Sequence, residues 1–298
     1  MKWQGVLPAI TTPFKPDFSV DADLLVKQVD ALVRAGCTGI VALGSLGEGG
    51  SLSFDEKKAV LRLCREALAG RAPLVAGVAA LTTADAIRLA ELGADAGCEG
   101  LMVLPPYVYK GDWSETRAHF DAVIGATPLA CMLYNNPIAY GTDVFPEQMV
   151  DLALALPNFV AVKESSADVR RVTALRALLA DRLAILVGVD DLVLEGIQAG
   201  AVGWIAGLAD ALPAESVRLF DLAAAGRVAE ARAIYDWFMP LLRLDTVPKF
   251  VQLVKLVQQE TGLGSETVRP PRLPLDAPER EAVRELVRFA LARRPALS

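Results

Sequence analysis

LACMLYNNPIAYGTDVFPEQMVDLALALPNFVAVK, residues 129–163, holds a strand, a helix and a second strand. Residues 129–133 form an apolar run of strand length, 146–156 read as a helix, and 159–163 are again apolar and β-type. The same unit recurs on both sides. Strands are expected at 5–11, 39–43, 74–78 and 100–104 before this stretch, and at 184–188 and 202–206 after it. Helices are expected at 21–35, 54–68, 83–94, 112–124, 168–179, 191–199 and 213–225. In the first of them Ala22, Leu25, Val29, Leu32 and Val33 recur at the helical period, and Ser53 with Glu56 has capping-box spacing. The strands are apolar on both faces, as parallel strands covered on each side must be. About eight such cycles predict an α/β fold, a TIM (β/α)8 barrel over residues 1–226. Residues 227–298 lack a strand signal and predict a C-terminal helical extension, with helices at 227–238, from near Pro248 to Gly262, and at 278–292.

The chain has 298 residues, which suits one barrel of ~250 residues with an appendage. Its apolar fraction of 53% excludes a disordered chain. A net charge of −6 without a basic block gives no reason to expect nucleic acid as a partner. The longest apolar passage, 199–212, is interrupted by Asp210 and glycines and falls short of the ~20 residues that span a bilayer, so no membrane segment is expected. Residues 1–16 contain three prolines and no continuous apolar core, so no signal peptide is expected. Cys37, Cys64, Cys98 and Cys131 form no CxxC pair, which predicts free thiols in a cytoplasmic protein. His119 is the single histidine, lies inside an expected helix, and has no cysteine cluster to join, so no metal site is expected.

A parallel barrel carries its active site at the C-terminal ends of its strands. Lys163 ends the sixth strand, where alternation puts it on one face with Ala161 and Phe159. Small Ala161 leaves room for a long amine at the barrel mouth, and lost hydration favours the free amine that attacks a ketone to give a Schiff base. The alternative is a lysine at the rim paired with Glu164. Gly44-Ser45-Leu46-Gly47-Glu48 ends the second strand; its amides and hydroxyl suit a carboxylate or phosphate, or its glycines turn the chain. Tyr134 ends the fifth strand, as a proton shuttle or as core. Asp190 and Asp191 follow the seventh strand; they oppose an anion there, or cap the next helix.

These pieces occur in the right order to resemble the dihydrodipicolinate synthase/N-acetylneuraminate lyase family of Schiff-base barrels. The matching segments are Pro8-Ala9-Ile10-Thr11-Thr12-Pro13-Phe14, Gly44–Glu48 as quoted, Tyr134-Asn135-Asn136-Pro137, Val162-Lys163-Glu164 and Gly188-Val189-Asp190-Asp191. The resemblance spans essentially the whole chain. It implies that Lys163 forms the imine, that Tyr134 relays protons, and that Ser45 with the Leu46 amide binds a 2-oxo acid carboxylate. Thr12, Gly47, Asn136, Tyr140, Ser165 and Ile205 complete the expected substrate lining. It further implies a homotetramer built as a dimer of dimers, and no metal or organic cofactor beyond the covalent imine.

Departures from the synthase pattern bear on the substrate. Ala139 stands where synthases carry the arginine that binds the second substrate's carboxylate, and Leu46 replaces the second hydroxyl of the loop. The tyrosine that synthases lend across the dimer falls near Val108, with Tyr107 and Tyr109 beside it. Neutral polar groups (Asn136, Tyr140, Ser165, Ser166) suit sugar-like hydroxyls. The expectation is a lyase that takes pyruvate or a 2-keto-3-deoxy sugar acid through aldol cleavage, dehydration or deamination. The alternatives are a synthase condensing pyruvate with aspartate semialdehyde, and a silent 2-oxo acid binding protein.

Overall fold

The structure, a computed structural model, describes residues 1–107 and 109–296. Apolar runs of three to six residues alternate with helices: β1 (Gly5–Pro8), α1 (Ala22–Arg34), β2 (Ile40–Ala42), α2 (Phe54–Leu68), β3 (Leu74–Val78) and α3 (Thr83–Asp95). Next come β4 (Gly100–Val103), α4 (Trp113–Gly125), β5 (Ala130–Asn135), α5 (Pro137–Tyr140), α6 (Pro146–Ala155) and β6 (Phe159–Glu164). The barrel ends with α7 (Arg170–Leu179), β7 (Ala184–Val187), α8 (Val193–Gln198), β8 (Gly203–Ala206) and α9 (Pro213–Ala224). Beyond Gly226 follow α10 (Val228–Leu242), α11 (Phe250–Glu260) and α12 (Ala277–Leu291).

The strands pair in parallel in the order β1-β8-β7-β6-β5-β4-β3-β2, and a single bridge from Ala9 to Val41 brings the two edges together. The expected (β/α)8 barrel with C-terminal helices is thus observed. Capping chemistry sets several helix starts: Asp21, Ser53, Thr82, Asp112 and Asp276 each accept a first-turn amide, and Ser53 forms the expected box with Glu56. Among the described residues no helix is long and apolar enough to cross a membrane. All four cysteines are buried and unpaired.

Leu7, Val41, Val75, Met102, Met132, Ala161, Leu186 and Ile205 fill the barrel's inside, while a larger apolar layer lies between strands and helices. One expectation fails here. Phe159 packs in the outer layer, because the β5–β6 register slips between Cys131 and Met132, so that Ala161 rather than Val160 faces Met132. The bulge resets the alternation, and Ala161 and Lys163 face inward without Phe159. The helix expected to end at residue 238 continues to Leu242 through Pro240, its last turn held by buried Leu241 and Leu242.

Candidate active site

Lys163 sits at the C-terminal end of β6, between Tyr134 on β5 and Leu186 on β7. It is only 6% exposed, and burial lowers its pKa, with the charge of Asp245 opposing the shift. Its Nζ lies 3.9 Å from the centroid of the Tyr134 ring. The pairing with Glu164 is not formed. Glu164 instead accepts hydrogen bonds from Asn135 Nδ2 (3.2 Å) and the Ser166 amide (2.7 Å). Room for the lysine stem comes from Gly188: a Cβ there would lie 2.7 Å from Lys163 Cγ and Cε, and 2.0 Å from Ser165 Oγ. Ser165 Oγ, beside this stem, is buried and has no hydrogen-bond partner among the described residues.

Tyr134 is buried, which pushes its phenol up to about 12 and keeps it protonated at neutral pH. Its oxygen accepts from Asn136 Nδ2 at 3.0 Å. The other end of the Asn136 amide accepts from the Ala139 amide (3.0 Å), so this side chain caps α5 and holds Tyr134 in place. The short helix α5 then carries Tyr140 back over the mouth. Its ring meets Tyr134 edge to face, 5.7 Å between centroids, and its hydroxyl is hydrogen-bonded to Ser45. Tyr107 also packs on Tyr140, with ring centroids 6.0 Å apart, whereas Tyr109 is 58% exposed. Val108, the position assigned to the cross-dimer tyrosine, lies outside the described residues.

The Gly44–Glu48 loop is shaped from beneath. Thr12 Oγ1 donates to the Gly47 carbonyl at 2.7 Å, and a Cβ on Gly47 would strike the Ile10 carbonyl at 2.8 Å. Thr12 therefore supports the loop. No acceptor among the described residues takes the Leu46 and Gly47 amides, which leaves these N–H groups available for an anion beside Ser45. The left-handed Glu48 (φ 53°) turns its carboxylate inward to Lys255 Nζ at 2.6 Å, both side chains 0% exposed. The Arg269 amide adds a bond at 3.0 Å. The C-terminal helices thereby hold the loop.

Asp190 corrects the capping expectation. It is fully buried and joins the β7 loop to the β8 loop, accepting from Trp204 Nε1 (2.9 Å) and the Gly207 (3.1 Å) and Leu208 (2.7 Å) amides. Burial pushes its carboxyl up to about 6, against those three donors. Ser166 Oγ accepts from the Asp168 amide at 3.3 Å, which commits it to the turn before α7. Ile205 lies inside the barrel wall, 1% exposed. His119 is buried in α4, its Nδ1 3.0 Å from Thr83 Oγ1. Among the described residues no cluster of three His, Cys, Asp or Glu is arranged to hold a metal.

Sequence reasoning missed Asp245 and Lys255. Lys255 left a faint trace, a lysine flanked by Val254 and Leu256 on a helix that also buries Val251 and Val257. Asp245 left none, because its neighbours are remote in sequence.

The profile of the Dihydrodipicolinate synthetase family matches residues 2–290. A 4-hydroxy-tetrahydrodipicolinate synthase from Xanthomonas axonopodis pv. citri is 35% identical, covering 98% of this chain and 96% of its own. The synthase from Methylacidiphilum fumariolicum SolV superposes with a TM-score of 0.92 at 28% identity, over 98% of both chains. A prophage protein of the dihydrodipicolinic acid synthase family from E. coli K12, solved with pyruvate, gives 0.92 at 26% identity, over 98% of this chain and 99% of its own. Full-length agreement in sequence and fold leads to one conclusion: the chain belongs to the dihydrodipicolinate synthetase family and is a lyase of that family.

Proposed function

We propose that this lyase binds a 2-oxo acid as an imine on Lys163 and cleaves, dehydrates or deaminates a hydroxylated, unphosphorylated member of that class. The observation that carries the reading is the buried Lys163 amine beside the Tyr134 phenol, in the same mouth as a loop with available amides. The substrate carboxylate takes Ser45 and the Leu46 and Gly47 amides, which leaves C2 to the amine. Attack forms the C–N bond, Tyr134 protonates the former carbonyl oxygen, and loss of water gives the iminium. The Ser45–Tyr140 hydrogen bond, with the Tyr140 hydroxyl acting in turn on the Tyr134 hydroxyl, supplies a relay within one subunit that returns the proton. The iminium then serves as the electron sink, so no metal or organic cofactor is needed. Free thiols suit a reducing, cytoplasmic setting.

A second reading is favoured by the relatives. Synthases named for 4-hydroxy-tetrahydrodipicolinate are 30–35% identical to this chain. Against condensation with aspartate semialdehyde stands Ala139, exposed and uncharged where the arginine is expected, since losing a charge-assisted pair costs about 1.5–3 kcal/mol. The test is turnover on 2-keto-3-deoxy acids, a cyclic hydroxy-imino acid, and pyruvate with aspartate semialdehyde, together with borohydride trapping of pyruvate and peptide mapping. A Lys163 adduct with turnover of hydroxylated acids is expected. Condensation at kcat/KM above ~10⁴ M⁻¹s⁻¹ restores the synthase, an adduct without any turnover leaves a binding protein, and no adduct on Lys163 refutes the imine.

A further inference from the structure

The C-terminal segment reaches the barrel mouth. After α10 the chain makes a 3₁₀ turn, Arg243–Thr246, which packs on the Asp190–Leu192 turn that follows β7. Arg243 pairs with Asp191 at 3.6 Å and fastens the two turns together. Asp245, within this turn, is half-buried and sits against Gly207 just after β8. A Cβ on Gly207 would sit 2.5 Å from Asp245 Oδ1 and 2.9 Å from its Cγ, so glycine there is what admits the carboxylate. No cation lies within ion-pair distance of Asp245 among the described residues, yet it is the strongest charge acting on Lys163 and it also acts on Tyr134. An acidic side chain has thus been delivered to the catalytic mouth from outside the barrel. The carboxylates of Asp190, Asp191 and Asp210 also face it, and none of these supplies a counter-charge.

We propose that Asp245 is a specificity residue that contacts the distal end of the imine-bound substrate, favouring distal hydroxyl or cationic nitrogen donors and rejecting a distal carboxylate. The inference rests on the imine reading and narrows its substrate class. Three things support it. Lys163 on β6 and Gly207 after β8 are two strand spacings apart, roughly 10 Å, about the reach of a five- or six-carbon acid. A carboxylate without a protein donor is satisfied by substrate O–H or N–H groups and repels a second carboxylate. Burial beside Asp190 holds the Asp245 carboxyl above its ordinary range in the free enzyme, but the obligatory cation of the iminium acts in the opposite sense and favours its ionised form.

The test compares capture by borohydride on Lys163, read by intact mass, for pyruvate, 2-oxoglutarate and 2-keto-3-deoxygluconate in the full-length protein and in Asp245→Asn and Asp245→Ser. Pyruvate has no distal group and reports on Lys163 itself. The wild type is expected to capture the deoxy sugar acid at least tenfold more readily than 2-oxoglutarate. Either variant should shrink that ratio by about tenfold, the scale of one charge-assisted hydrogen bond. An effect of Asp245 exerted only through Lys163 moves both substrates alike and cancels in the ratio. A ratio that both variants leave unchanged, or a wild type that prefers 2-oxoglutarate, overturns the proposal while pyruvate capture still upholds the imine. Failure of the wild type to capture pyruvate overturns the imine reading, and this inference with it.

Discussion

Lys163 and Gly188 form a matched pair: the stem of one occupies the space where the other would carry a side chain. Gly188→Ala is therefore expected to block imine formation without touching a charge, which borohydride capture of pyruvate by the folded variant reads directly. Lys163→Ala removes the nucleophile, and turnover should fall by ~10⁴-fold or more. Tyr134→Phe keeps the ring packed under Lys163 but loses the proton, with an expected ~10²–10⁴-fold fall in kcat. Tyr140→Phe breaks the bond to Ser45 and should lower kcat by a smaller factor; full activity would show that the relay runs elsewhere. The pH dependence follows from burial of the amine. Lys163 has its pKa lowered, and only the free base attacks, so the capture rate should rise with pH and level off below the ordinary lysine value of 10.5. A plateau at or above that value would mean the amine is not desolvated in solution.

At the level of elements, the loop after β2 is held by α11. The Glu48 carboxylate meets Lys255 with both side chains fully buried, Lys255 also donates to the Thr267 carbonyl at 2.8 Å, and the ammonium lies 4.4 Å from the Phe14 centroid. Arg272, at 3.7 Å, is the other cation on Glu48 but is partly exposed, so removing Lys255 takes away the buried partner of the carboxylate. Lys255→Met should cost about 3–5 kcal/mol in urea unfolding, and Lys255→Met with Glu48→Leu considerably less than the two single losses together. Because Glu48 directly follows Gly47, the variant that stays folded is also expected to bind the substrate carboxylate more weakly, raising KM more than it lowers kcat. The short helix α5 has a comparable role: Asn136 caps it, and its one turn places Tyr140 over Ser45.

On the scale of the whole molecule, exposed Leu81, Tyr109 and Ile138 lie in the segments after β3, β4 and β5, apolar groups gathered on one side of the barrel mouth. A second copy of the chain is their expected cover, in the homotetramer that the family resemblance implies, and light scattering that gives a monomer at working concentration would refute it. Tyr109→Asp combined with Ile138→Asp should weaken that assembly. The barrel itself was written in the sequence. Eight apolar runs separated by amphipathic helices leave few other ways to cover parallel strands, and the residue at the end of each run, Lys163 and Tyr134 above all, follows from counting along a strand. The sequence also set the absence of a charge at Ala139. It did not show that Phe159 leaves the inner face, because a bulge arises from the pairing of two strands and not from either alone. Nor did it show that Asn136 and Thr12 are spent on holding neighbours, or that Asp190 binds the β8 loop instead of a helix end. The meetings of Glu48 with Lys255 and of Asp245 with the mouth join residues about 200 and about 80 positions apart. Local pattern carries the period of a helix or strand; which charged groups are desolvated together is decided only when the C-terminal helices close against the barrel.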